Sequence, residues 1–174
     1  MTSMNHDKLI IRPANTNDAP RILKHLKTVG DESDFLTFNS AYIKITVEEE
    51  EEIITAHNST DNQLLFIAEY EAEIIGVSNL MASQKPRLRH IGDIGISVIQ
   101  KYWGNGVGGK MIEYLINWAK KGEIITKINL IVQQDNIGAY KLYEKLGFEK
   151  EGELRRALFI DGVYYDAYYM GLVL

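Results

Sequence analysis

The stretch "QKYWGNGVGGKM", residues 100–111, sets four glycines within the six positions 104–109, at the head of an apolar run. Gly104, Gly106 and Gly109 match the GxGxxG spacing of a dinucleotide fold, whereas Gly104 and the Gly109–Lys110 pair match the GxxxxGK of a nucleotide P-loop. Both patterns rest on one piece of physics. The first turn of a helix leaves its N–H groups unpaired and carries the positive end of the helix dipole, so glycines there admit an anionic phosphate. A P-loop, however, places Ser or Thr directly after its lysine to ligate the nucleotide's magnesium, and here that position is Met111, a thioether. A dinucleotide fold places its glycines in an early βαβ unit, after a strand that is apolar on both faces. This loop instead opens at position 104 of 174, after "GDIGISV", in which Asp93, Gly95 and Ser97 alternate with Ile94, Ile96 and Val98. Two readings remain for the glycines alone: an anion-binding loop for another phosphate cofactor, or an ordinary strand-to-helix turn.

The regions upstream and downstream of the loop divide by period. "KLIIRPA" (8–14) reads as a first strand halted by Pro13. "NTNDAPRILKHLKTVG" (15–30) reads as a helix, with Asn17 or Asp18 as N-cap, Ile22, Leu23, Leu26 and Val29 at helical spacing, and Gly30 as its stop. "DESDFLTFNSAYIKI" (31–45) has no clean period and reads as a connection that carries a short helix and contacts a substrate. In "TVEEEEEIITAHN" (46–58), Thr46 and Glu49 have capping-box spacing and open a second helix. Its five consecutive glutamates, Glu48 to Glu52, read first as a solvated helix surface, with attraction of a cationic acceptor as the alternative. Two β-rich runs, Leu64 to Tyr70 and Glu73 to Met81, form a hairpin, and the alternating "GDIGISV" forms a strand with one small, polar face.

Beyond the loop, Val107, Met111, Tyr114, Leu115 and Trp118 recur at helical spacing as far as Gly122. "KINLIVQ" (127–133) reads as a buried strand and "DNIGAYKLYEKLGF" (135–148) as a helix with Asn136 near its N-cap, stopped at Gly147. The remainder is β-rich around the Asp161–Gly162 turn. The order β α α β β β α β α β β predicts an α+β fold, a mixed and mainly antiparallel sheet of about seven strands flanked by about four helices. At 174 residues, without repeat, linker or composition break, residues 1–174 read as one domain.

Composition narrows the function classes. The chain is 45% hydrophobic and 25% charged, typical of a globular protein. With no cysteine, disulfides, thiolate catalysis and Cys-ligated metals are excluded. The net charge of −5 offers no overall attraction for nucleic acid or anionic membranes, and neither is expected as a partner. The N-terminal residues lack the basic start and long apolar core of a signal peptide, and no run reaches membrane-spanning length, so a cytoplasmic protein is expected. Edge strands near the C-terminus suit a homodimer.

Two blocks taken together, "GDIGISVIQKYWGNGVGGKMIEYLINWA" (92–119) and "NIGAYKLYEKLGFEKEGELR" (136–155), resemble the acetyl-CoA core of the GNAT family of N-acetyltransferases. In that family a strand leads into a Q/R-x-x-G-x-G/A pyrophosphate loop and helix, and a later helix bears N-x-x-A-x-x-L-Y-x-x-x-G-F. Both blocks occur here in order, and "LIIRPANTNDAPRI" (9–22) and "DGVYYDAYYMGLVL" (161–174) extend the similarity over nearly the whole chain. The chain departs from the pattern at Trp103, which stands where Gln or Arg begins the loop motif.

The resemblance implies an acetyl-CoA-dependent N-acetyltransferase that moves the acetyl group directly to a primary amine of a small molecule or a protein N-terminus. The alternative is a GNAT-like domain that binds acyl-CoA without turnover, as a sensor or interaction module. It implies a pyrophosphate loop of Trp103, Gly104, Asn105, Gly106, Val107, Gly108 and Gly109. The pantetheine arm would lie along Ile96, Ser97 and Val98, with the Val98 N–H facing the thioester oxygen. Asn136 matches a CoA-contacting position, but it also has a complete role as an N-cap. Tyr143 matches the family's general acid for the departing thiolate, although spacing alone equally lets it complete the apolar side of its helix. Asp93, on the strand that would carry the thioester, is the candidate base, directly or through water, unless it pairs with Arg89. His90 is a weaker candidate for that role. No metal site is expected. Of Tyr164, Tyr165, Tyr168 and Tyr169, alternation sends about half toward any acceptor pocket.

Overall fold

The computed structural model describes residues 4–174. Its elements run β1 (Leu9–Pro13), α1 (Ala19–Glu32), α2 (Val47–Asn58), β2 (Leu64–Tyr70), β3 (Glu73–Ala82), β4 (Ile91–Val98), α3 (Val107–Gly122), β5 (Lys127–Gln133), α4 (Ile137–Lys145), β6 (Glu149–Ile160) and β7 (Val163–Val173). All seven strands join one sheet in the order β1-β2-β3-β4-β5-β7-β6. Every neighbouring pair is antiparallel except β4 and β5. This is the mixed, mainly antiparallel sheet with four helices that the element order predicts.

Local chemistry sets the boundaries. The β2–β3 turn places Glu71 and Ala72 at φ 48° and 66°, and the β6–β7 turn places Asp161 and Gly162 at 48° and 81°. Two consecutive left-handed residues match the twist of a two-residue hairpin. Thr46 accepts from the Glu49 N–H while the Glu49 carboxylate accepts from the Thr46 N–H, which starts α2. One boundary differs from expectation: Gly30 does not end α1, which continues to Glu32. A Cβ at position 30 would lie 2.9 Å from the Ser40 backbone nitrogen. The glycine therefore admits the returning chain of residues 33–46 against the helix.

The sheet carries a core on each face. On one, α3 and α4 cover Phe66, Ile75, Leu80, Ile128, Leu130 and Met170, with Met111, Ile112 and Leu115 supplied by α3. On the other, Ile22 of α1 and Ile54 of α2 pack against Leu65, Ile67, Ile74 and Val77. Strand β4 obeys the same period: Ile94, Ile96 and Val98 pack toward α3, and Asp93, Gly95 and Ser97 face the α1–α2 side.

Strands β4 and β5 pair only at Ile91 with Lys127, Gly92 with Ile128 and Asp93 with Asn129. Beyond Asp93 the two strands part, and the sheet is split down its middle.

Candidate active site

The split opens a cavity of about 1050 Å³ that passes from the α3 N-terminus, between β4 and β5, to the α1–α2 face. On its β4 wall the ladder register decides which backbone groups are free. The Ile99 N–H donates to the Ile75 carbonyl, and alternation sends the peptide groups of residues 97, 95 and 93 to β3 as well. The N–H and C=O groups of Ile96 and Val98 therefore point into the split, where no β5 partner meets them. Ser97 is turned the other way: its backbone belongs to the β3 ladder and its hydroxyl meets His25 Nε2 of α1 at 2.9 Å. Because His25 Nδ1 faces the Ile74 carbonyl, it carries the proton, and Nε2 accepts from Ser97. Burial lowers the His25 pKa to about 4, so the ring stays neutral and pins the strand.

At the end of β4 the glycine loop turns through Gly104 at φ 75° and Gly106 at φ 78° into α3. Gly106 is the N-cap of α3, and no side chain caps the helix. The first amide of α3 with an intrahelical partner is that of Lys110, which donates to the Gly106 carbonyl. The amides of Val107, Gly108 and Gly109 are thus left facing the cavity mouth. A Cβ at Gly104 would meet nothing within 4 Å, and one at Gly106 only the His6 ring at 4.0 Å. The concavity is open and electropositive at its backbone. Trp103 folds back: its indole N–H donates to the Val98 carbonyl at 2.7 Å, closing one of the two free groups of that residue.

Opposite β4, helix α4 brings Tyr143 into the same cavity. Its ring packs on Phe148, it is 8% exposed, and burial pushes its hydroxyl up to about 12. Among the described residues no group hydrogen-bonds that hydroxyl. Asn136 lines the cavity too, but its Oδ1 accepts from the Ala139 N–H, so its acceptor is committed to the cap.

Asp93 is exposed on the α1–α2 face at the point where the strands part, and it accepts from Asn129 Nδ2 at 3.4 Å. It does not pair with Arg89, which bonds Asp61 instead. His90 lies outside the cavity lining, so the structure does not bring it to the candidate site. Of the four C-terminal tyrosines only Tyr169 lines the cavity; burial, then the Asp93 charge, raises its hydroxyl above the usual tyrosine range. Tyr164 stacks on Phe159, and Tyr168 on Tyr140.

A sequence model of the acetyltransferase (GNAT) family matches residues 32–148. The chain belongs to the GNAT acetyltransferase family. A GNAT-family acetyltransferase from Streptococcus pneumoniae superposes with a TM-score of 0.92 at 37% identity, covering 95% of this chain and 99% of that one. An L-amino acid N-acetyltransferase of Escherichia coli K12 is 35% identical over 62% of this chain and 66% of its own length. A spermidine N(1)-acetyltransferase of the same strain is 28% identical over 64% of this chain and 59% of its own. The chain thus spans somewhat under two thirds of the length of these curated relatives.

Several residues of this GNAT site carry no signature in the sequence. Glu50, inside the glutamate run, is only 3% exposed and lines the cavity, as do Glu32 and His57. The connection 31–45 does contribute, through Ser33, Phe35, Leu36, Thr37, Phe38 and Ile45. For Glu50 the available signal was helical spacing: it stands one turn before Ile53 and Ile54, on the face that α2 buries.

Proposed function

We propose that the protein is an N-acetyltransferase that carries the acetyl group of acetyl-CoA directly to a primary amine across the split between β4 and β5. The observation that carries this reading is the alignment of three things along one cavity: uncapped α3 amides, unpaired β4 peptide groups and the Tyr143 hydroxyl. The amides of Val107, Gly108 and Gly109 with the left-handed Gly104 and Gly106 hold the pyrophosphate. The free N–H and C=O of Ile96 pair with the pantetheine arm in the place of a β5 neighbour, and the Val98 N–H, its carbonyl being taken by Trp103, is left for the thioester oxygen. The acceptor amine enters from the α1–α2 face, where Asp93 stands.

Transfer then proceeds in atoms and charges as follows. Asp93, through a water, takes a proton from the arriving ammonium, and the freed lone pair attacks the thioester carbon. The Val98 N–H stabilises the oxyanion of the tetrahedral intermediate. Collapse breaks the C–S bond, and the thiolate leaves with the Tyr143 hydroxyl directed at sulfur. A phenol near 12 beside a thiol of reference pKa about 8.5 keeps most of its proton, so Tyr143 acts chiefly as a hydrogen-bond donor, and the thiolate ends protonated from solvent. Asp93, exposed to solvent, passes the first proton on to bulk water and then takes the second proton from nitrogen through the same water. No covalent enzyme intermediate is needed, in keeping with a chain that has no cysteine.

The test is release of free CoA thiol from acetyl-CoA with mass-spectrometric detection of the acetylated amine. Thiol release that depends on acceptor, and that falls in both Tyr143→Phe and Asp93→Asn, supports the reading. Tight binding of acetyl-CoA with no release above hydrolysis for any amine class sinks it in favour of a non-catalytic acyl-CoA sensor.

A further inference from the structure

The acceptor side of the cavity is apolar, with Leu26, Val29, Phe35, Phe38, Ile45 and Ile53 in its lining, yet it holds polar groups left without partners. Glu50 is 3% exposed, and among the described residues neither a hydrogen bond nor an ion pair reaches its carboxyl. On the same face of α2, His57 Nδ1 lies 2.8 Å from the Ile53 carbonyl. A carbonyl only accepts, so Nδ1 carries a proton; in that tautomer Nε2 is an acceptor, and among the described residues it is buried with no partner. Gln133 Oε1, at the β5 end of the same cavity, is a second such buried acceptor, without a donor among the described residues. Unpaired groups of this kind cost stability, and here every one of them asks for a donor.

The formal charges agree. Glu32, Glu50 and Asp93 bring three carboxylates to the cavity, and among the described residues no lysine or arginine lines it. An ammonium, with three donors and a positive charge, answers both deficits. A carboxylate on the acceptor would add another acceptor to a site that has no cation for it.

We propose that the acceptor of this enzyme is an aliphatic amine with a second ammonium group and no carboxylate, the second ammonium being held by Glu50 while the reacting amine lies at Asp93. This rests on the acetyltransferase reading above. It names the substrate class by the chemistry of the α1–α2 wall, and it runs against acetylation of free amino acids. Burial without a counter-ion pushes the Glu50 carboxyl up to about 7, as expected of a charge whose partner is the ligand.

The experiment compares kcat/KM for acetyl transfer to an α,ω-diaminoalkane, to the monoaminoalkane of the same chain length and to an L-amino acid, in the wild-type protein and in Glu50→Gln. The expected result is a wild-type preference of at least about tenfold for the diamine over the monoamine, with the amino acid poorest. In Glu50→Gln the diamine and monoamine should converge to within about threefold, while acetyl-CoA still raises the thermal midpoint of the variant. An amino acid turned over best, monoamines used as well as diamines, or a diamine preference untouched in Glu50→Gln each overturn the proposal and leave the acetyltransferase reading standing. Should Glu50→Gln not fold, the wild-type comparison of the three acceptors decides alone. No thiol release with any amine overturns both.

Discussion

The two ends of the cavity recognise by opposite means. At the α3 end the groups on offer are main-chain N–H donors, made available by glycines with φ of 75° and 78° and by a helix that no side chain caps. At the α1–α2 end they are side-chain acceptors, Asp93 and Glu50, set among apolar residues. Donors at one end suit phosphates, and acceptors at the other suit ammonium groups. A backbone site also depends on which residues are absent, chiefly Cβ atoms, whereas a side-chain site depends on which residues happen to be packed together.

The contrast breaks most sharply at Gly106. Gly106→Asp puts a Cβ at φ 78° and a negative charge at the head of α3, and acetyl-CoA affinity measured by calorimetry should weaken about 10³-fold. A loss below about tenfold would show that the phosphates sit elsewhere. Tyr143→Phe, between the two ends, should lower kcat about 10²-fold with little change in acetyl-CoA affinity. It removes a hydroxyl that faces the cavity and has no protein partner among the described residues, so the unliganded variant should unfold at nearly the same temperature.

Charge on the α1–α2 side is sharpened by pH. The Glu50 carboxyl is raised to about 7 in the folded protein, so its contribution to stability is present below its ordinary value of 4.5 and is lost as pH rises through 7. His25 is the opposite case: lowered to about 4, it resists protonation in the fold, and stability falls as pH drops from 6.5 toward 4. Relative to Glu50→Gln, the wild-type protein should therefore lose on the order of 2 kcal/mol between pH 4.5 and 7, read from denaturant titrations at each pH. A constant difference across that window would mean that Glu50 is solvated. Asp93→Asn should reduce kcat/KM for the acceptor about tenfold, less than a base in direct contact, because a water carries the proton. The smallest effect is expected at Trp103: Trp103→Phe removes the bond to the Val98 carbonyl and should cost about 1 kcal/mol in unfolding free energy, with acetyl-CoA affinity changed by less than about threefold.

The donor end was legible in the sequence nearly residue by residue. Glycine spacing, the alternation of residues 92–98 and the "NIGAYKLYEKLGF" helix lie in two continuous segments, and each local rule acts over a few residues. Of the acceptor end, Asp93 and the connection 31–45 were legible and the rest was not. Glu50 is one of five consecutive glutamates, and nothing in their identity says which is buried; that follows from how α2 rolls Ile54 into the core. His57 and Gln133 became orphaned acceptors only when α2 and β5 were brought to one cavity. Gly30 misled for a related reason, since a glycine that ends a helix and a glycine that admits another chain segment are the same letter. Trp103, in the sequence only a departure from the family pattern, closes a strand carbonyl.

The order of elements, the glycine turn at the head of α3 and the family resemblance follow from the sequence alone, because helix period, strand period and turn chemistry are properties of neighbouring residues. Only the tertiary structure decided where the sheet splits, which strand peptides are left free, and that Glu50, His57 and Asp93 share one cavity. Those facts depend on contacts between segments up to dozens of residues apart, and such contacts are fixed by packing rather than by local pattern.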